Sequence, residues 1–286
     1  MKANIFGIRK SIIFVCIISF LIPFTYQWIQ HQFPTARSES SIELIEANRD
    51  SVQNKDDLIP TKTSTQLVKA PSISTQTYQT TEAFEAYRPK YFQAAIDPSN
   101  YGDRYSTDVN GRTLTNQPIA VLHETVGSAT SAINTFRRHN TNDHHQSSYH
   151  ALIALDGTIV YLVPSNKRAF GAGNSVFKSS QGVETVQTNP KLAPSVNNFA
   201  YHISLETPTD GRNKSGDSYH SGYTDSQYKS LAWLLALSSI PDERITTHQS
   251  VDLSGDRFDP RSFDFDKFFS ILHTYRQPTP NKVSTQ

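Results

Sequence analysis

Residues 148–164 read SYHALIALDGTIVYLVP, two β-forming runs on either side of Asp156-Gly157. An Asp-Gly pair supplies the positive φ angles of a tight turn, so this stretch is an antiparallel hairpin and the first fixed piece of a sheet. Upstream, residues 119–123 (IAVLH) form a short, continuous apolar run, the pattern of a buried strand, which ends on His123. Open α/β sheets place their chemistry at the carboxyl ends of strands, so the position of His123 matters as well as its type. Downstream, residues 199–206 (FAYHISLE) alternate, with Tyr201, Ile203 and Leu205 on one face and His202, Ser204 and Glu206 on the other. Residues 245–248 (ITTH) read as one more short strand.

Helices are expected between these strands. Residues 131–140 carry Ile133 and Phe136 at helical spacing. Thr224-Asp225-Ser226-Gln227 is a capping box that opens a helix over 226–239, apolar nearly all round and therefore buried, with Trp233 as core material. Pro241 ends it, and residues 263–275 (FDFDKFFSILHTY) form a closing helix with His273 exposed. Residues 176–198 are rich in turn formers and read as a long surface insertion, and 211–222 as polar and flexible.

In a chain of 286 residues, 27 Lys and Arg balance 26 Asp and Glu, which argues against nucleic acid as a partner. The single cysteine, Cys16, lies in an apolar N-terminal stretch, so neither disulfides nor a downstream thiolate are available. Residues 11–29 carry no charge and follow Lys2, Arg9 and Lys10, as in an export segment. Its core is short enough for a signal peptide, but no A-x-A-like cleavage site follows, so a retained anchor in the cytoplasmic membrane is favoured, with the rest of the chain on the extracytoplasmic (periplasmic) side. The expected organisation is an anchor or signal over 1–33, a flexible tether over 34–87, an arm packed on the domain over 88–117, the folded domain over 118–275, and a disordered tail over 276–286.

Histidine and carboxylate must then carry the chemistry. Residues 247–260 (THQSVDLSGDRFDP) hold His248 and Asp259, nitrogen and oxygen ligands of the kind zinc accepts, but an open catalytic site needs a third from elsewhere in the chain. Asp252 and Asp256 in the same loop are alternatives to Asp259. His139, His144 and His145 sit in loop-like sequence and read as solvated. Taken alone, His123 reads as a structural hydrogen-bonding residue and Glu206 equally as a solvated edge charge. The glycine-rich RAFGAG at 168–173 lacks the lysine and spacing of a phosphate loop.

In their order, IAVLHET, SYHALIALDGTIVYLVP, KRAFGAG, HISLE, YTDSQYKSLAWLLA and THQSVDLSGDRFDP resemble the zinc-dependent N-acetylmuramoyl-L-alanine amidases of the Amidase_2 group, whose fold is shared with peptidoglycan recognition proteins. The resemblance implies an α/β domain with a mixed central β-sheet flanked by helices, acting on peptidoglycan or muropeptides. It implies His123, His248 and Asp259 as zinc ligands and Glu206 as a catalytic glutamate. Tyr149 matches a tyrosine implicated in catalysis in some members. Arg257 falls where many members have a lysine near the developing oxyanion; it keeps the cation but cannot act as an acid near neutral pH. Gly171 stands where a histidine is common. Two other readings are a non-catalytic wall-binding module and an amidase of soluble anhydro-muropeptides.

Overall fold

The computed structural model describes residues 76–280 except 215, 217 and 218. In chain order its regular elements are β1 (Tyr78–Thr80), α1 (Glu82–Ala86), β2 (Tyr91–Gln93), β3 (Tyr101–Asp103), β4 (Ile119–Glu124), α2 (Ala129–Phe136), β5 (Ala151–Ile153), β6 (Ile159–Tyr161), β7 (Lys167–Ala169), β8 (Phe177–Ser179), β9 (Gly182–Glu184) and β10 (Ala200–Leu205). They continue with α3 (Asp225–Ala236), β11 (Ile245–Thr247), α4 (His248–Val251), α5 (Phe265–Tyr275) and β12 (Arg276–Pro278).

The central sheet has six strands in the order β11-β4-β10-β5-β6-β2. The pairs β11–β4, β4–β10, β10–β5 and β6–β2 are parallel and β5–β6 is antiparallel, so the sheet is mixed as expected. The Asp156-Gly157 turn joins β5 to β6, with Gly157 at φ 86°. Its missing Cβ also matters for packing, since one would lie 2.8 Å from the Ser226 carbonyl oxygen of α3.

Strand alternation sends Ala120, Leu122, Ile203 and Leu205 to one face, where they pack against Leu231, Leu234 and Leu235 of α3 and Phe268 and Leu272 of α5. The capping box at Thr224 and Gln227 opens α3, and Trp233 is buried. Ile119, Val121 and Ala200 face the other way, against Phe177, Val186, Val196 and Val251. Residues 176–198 are thus more than a surface insertion. They form the β8–β9 hairpin and its flanks, and their buried apolar side chains cover the sheet where no long helix does.

The domain also begins earlier and ends later than composition suggested. The flexible tether was expected to run to residue 87 and the disordered tail to begin at 276, yet β1 pairs with β12 in register Tyr78↔Pro278 to Thr80↔Arg276. In α1, capped by Thr81, Phe84 is 2% exposed and stacks on Trp233 at 5.4 Å between ring centroids. Arg276 is buried, donates to Asp242 at 2.7 Å and lies over the Tyr78 ring. The arm supplies β2 to the edge of the main sheet, and β3 pairs with β7. Among the described residues no helix is long and apolar enough to cross a membrane, and the expected anchor over 1–33 lies outside them.

Candidate active site

β4 and β11 are parallel neighbours, and each delivers a histidine at its carboxyl end. His123 shares the Ile119–Val121 face of β4 and is fully buried. His248 follows β11 directly as the first residue of α4, whose N-cap Thr247 accepts from the Ser250 amide. The loop after α4 returns Asp259 to this point, held by a hydrogen bond from the Gln249 amide to the Asp259 carbonyl. The Asp259–Pro260 peptide is cis.

Asp259 Oδ2 lies 3.2 Å from Nδ1 of both His123 and His248, and Oδ1 lies 3.0 Å from His248 Nδ1. Donor atoms of the three residues all fall within 4.8 Å of one another. A tetrahedral zinc ion with bonds of about 2.1 Å separates its ligand atoms by about 3.4 Å, close to these spacings. Protonation fits as well, because metal ligation needs neutral imidazole and ionised carboxylate. Burial and the neighbouring His248 push His123 down to about 4, against the pull of Asp259. Burial acts to raise Asp259, but hydrogen bonds from His123 and His248 hold its carboxyl far below the ordinary range.

The competing aspartates are resolved by geometry. Asp252 accepts from Ser254 Oγ and from the Gly255 and Asp256 amides, so it shapes its own turn, and Asp256 is exposed. His144 and His145 are exposed on the wall of the adjoining groove, and His139 pairs with Asp97 at 3.1 Å; none belongs to the triad.

The triad opens into a groove of about 1120 Å³ lined by Tyr149, His248, Arg257, Arg168, Phe170 and Tyr105, among others. Tyr149 sets its ring 4.9 Å from that of His123 and edge-on to Phe136. Burial, then the Asp259 charge, keeps its phenol protonated well above neutral pH, so it is a hydrogen-bond donor. Arg257 is exposed on the groove wall and near enough to His123 and Tyr149 to act on them electrostatically.

Glu206 directly follows β10, but its carboxylate is engaged elsewhere. Oε1 accepts from the Ala129 amide at 3.0 Å and from Arg212 at 2.7 Å, and Oε2 accepts from the Leu155 amide at 3.0 Å. None of these partners belongs to the triad. The β10 residue in register with His123 is Ser204. Arg212 lies in a polar, turn-rich stretch whose sequence carries no sign of this pairing.

Two further groups escaped sequence reasoning. Glu124, next to His123 but on the opposite face, is 2% exposed and accepts from Arg261 Nε, from His220 Nε2 at 3.0 Å and from the Tyr223 hydroxyl at 3.0 Å. Since Arg261 is two residues past Asp259, this cluster braces the Asp259 loop to β4. On the triad side, His202 Nδ1 meets His123 Nε2 at 2.9 Å. Burial, followed by the neighbouring His123 and His150, holds His202 well below the ordinary imidazole value.

At the strand ends of this mixed α/β sheet, two buried histidines and an aspartate beside a groove form a group that could hold a metal ion. The chain belongs to the Amidase_2 family of N-acetylmuramoyl-L-alanine amidases, whose model matches residues 115–262. It is therefore an enzyme that hydrolyses the muramoyl–L-alanine amide of peptidoglycan. The elements β1, α1, β2, β3, α5 and β12 lie outside the matched region. Similar solved structures include a selenomethionine derivative of AmpD (24% identity, 66% of this chain and 97% of that chain, TM-score 0.43). Others are the endolysin LysCS from Clostridium intestinale URNW (20%, 65% and 97%, 0.36) and AmiD from E. coli in complex with anhydro-N-acetylmuramic acid-L-Ala-D-γ-Glu-L-Lys (19%, 56% and 61%, 0.38). No curated protein matches the chain.

Proposed function

We propose that the amidase is zinc-dependent, with His123, His248 and Asp259 as the protein ligands; the observation that carries this is the 3.0–3.2 Å convergence of two imidazole Nδ1 atoms on one carboxylate. When bound, zinc supplies polarisation of the scissile carbonyl and a nucleophilic water at neutral pH. Water adds to the lactyl carbonyl carbon and the C–N bond to L-alanine breaks; the oxygen stays on the lactyl carboxylate, and both protons of the water end on the departing nitrogen, which leaves as an ammonium. Arg257 offers a fixed positive charge to the oxyanion from the groove wall, and Tyr149 donates its phenolic hydrogen to the substrate amide. Glu206, expected from the resemblance to act in proton transfer, is instead assigned an anchoring role, because Arg212 and two backbone amides occupy both its oxygens. It ties β10 to the first turn of α2 and to the β5–β6 turn.

The substrate is proposed to be polymeric peptidoglycan outside the cytoplasmic membrane. This rests on the uncharged run over 11–29 after three basic residues, read as an export segment and retained anchor. Soluble anhydro-muropeptides are the alternative. Initial rates of the full chain on intact sacculi and on anhydro-muropeptide fragments separate the two. Faster release of stem peptides from sacculi supports the proposal, and turnover of fragments alone overturns it.

A further inference from the structure

His202 occupies the buried strand face beside the triad; its Nδ1 meets His123 Nε2 at 2.9 Å, and its ring stacks on that of His150 at 5.9 Å between centroids. Its other ring nitrogen, Nε2, is buried with no hydrogen-bond partner among the described residues. A buried imidazole with one nitrogen unsatisfied is a poor choice for stability alone, where an apolar side chain would fill the space without that loss. The ring also requires a special neighbour. A Cβ added at Gly171 would lie 2.4 Å from His202 Cγ and 2.5 Å from its Nδ1, so the imidazole lies directly on bare backbone.

We propose that His202 is the positioning residue for the metal ligand His123, accepting a hydrogen bond from Nε2 so that Nδ1 is presented to the metal, and that Gly171 is glycine because it admits the His202 ring. The inference rests on the zinc reading given above. A neutral His123 that coordinates through Nδ1 must carry its proton on Nε2, and His202 Nδ1 is the acceptor placed to receive it. His202 is then protonated on Nε2. Its own placement is secured through the backbone, because the His202 amide donates to His150 Nδ1 at 3.0 Å. That bond makes His150 Nδ1 an acceptor, so its proton is on Nε2, facing the Lys167 carbonyl at 3.2 Å. Metal-bound histidines are ordinarily oriented by a carboxylate, a carbonyl or water through the other nitrogen, and here an imidazole takes that place.

The test uses the full chain as wild type, His202→Phe, His202→Asn and Gly171→Ala. Zinc affinity is measured by competition with a chromophoric chelator, and the cobalt(II)-loaded proteins are compared by visible absorption. His202→Phe fills the space without an acceptor and should bind zinc about 10–100-fold more weakly, with an altered cobalt spectrum. His202→Asn keeps an acceptor close to the Nδ1 position and should restore affinity and spectrum towards wild type. Gly171→Ala touches no ligand but displaces the His202 ring, and should weaken zinc binding in the same sense as His202→Phe. Nitrogen-15 NMR of zinc-loaded wild type should find the His123 proton on Nε2, a readout independent of whether any variant folds. Wild-type affinity and spectrum in both His202→Phe and Gly171→Ala, or a His123 proton absent from Nε2, overturns the inference while leaving the zinc reading intact. Wild-type protein that binds no zinc overturns the zinc reading itself.

Discussion

Glu124→Gln removes one charge from the brace between β4 and the Asp259 loop while keeping the shape of the side chain. The carboxylate is 2% exposed, and its partner Arg261 is 6% exposed, so solvent screens neither charge. The change leaves a buried guanidinium without the carboxylate it faces, and it alters the hydrogen bonds that His220 and Tyr223 make to Glu124. Breaking such a buried pair costs about 3–5 kcal/mol, which for a domain of this size corresponds to a fall in Tm of about 6–20 °C. Unfolding followed by circular dichroism in chelator measures the loss without a contribution from metal binding. The double variant Glu124→Met with Arg261→Met should recover much of the stability, because neither charge is then left facing an apolar neighbour. With metal restored, Glu124→Gln should also bind zinc more weakly, since Asp259 is two residues from Arg261. A single variant within about 1 kcal/mol of wild type would refute the reasoning, since surface pairs but not buried ones behave so.

Phe84→Ala should cost about 3–5 kcal/mol, because Phe84 is almost fully buried against Trp233 and Tyr275; an unchanged denaturation midpoint would detach α1 from the domain. Arg257→Ala should lower kcat about 10²–10³-fold with zinc still bound, and Arg257→Lys should retain most activity, whereas normal turnover in the alanine variant would remove Arg257 from the oxyanion. Glu206→Gln should lower stability by about 1–3 kcal/mol with kcat within tenfold of wild type. A fall of about 10²–10⁴ in kcat at unchanged stability would instead return Glu206 to proton transfer.

The parts of this fold that were legible in sequence are those whose signal is local. Asp156-Gly157 marked the β5–β6 turn, the run 119–123 marked β4, and Thr224 with Gln227 marked the start of α3. β1 and α1 escaped because three- and five-residue elements carry no usable period, and β1 finds its partner, β12, near the other end of the folded chain. The cover formed by 176–198 was hidden for a similar reason: Phe177, Val186 and Val196 are far apart in a turn-rich stretch and become one apolar surface only against β4 and β10.

The site divides the same way. His123, His248 and Asp259 were placed by motif register, and Asp252 could be set aside only once its loop hydrogen bonds were visible. Glu206 took its catalytic role from the family resemblance, while its ion pair with Arg212, six residues on in a segment without pattern, had no signal in the sequence. His202 and Gly171 were both legible as residues, yet their dependence on each other exists only where β10 meets the loop after β7.

The central claim is hydrolysis of one bond with the help of one metal group. Mass spectrometry of muropeptides digested with the purified full chain tests it directly, alongside His248→Ala and a chelated sample. Stem peptides with a free L-alanine amino terminus, paired with lactyl-bearing muramic acid, should accumulate with wild type and disappear in both controls. Cleavage at any other bond, or release that persists in His248→Ala and in chelator, would contradict the account.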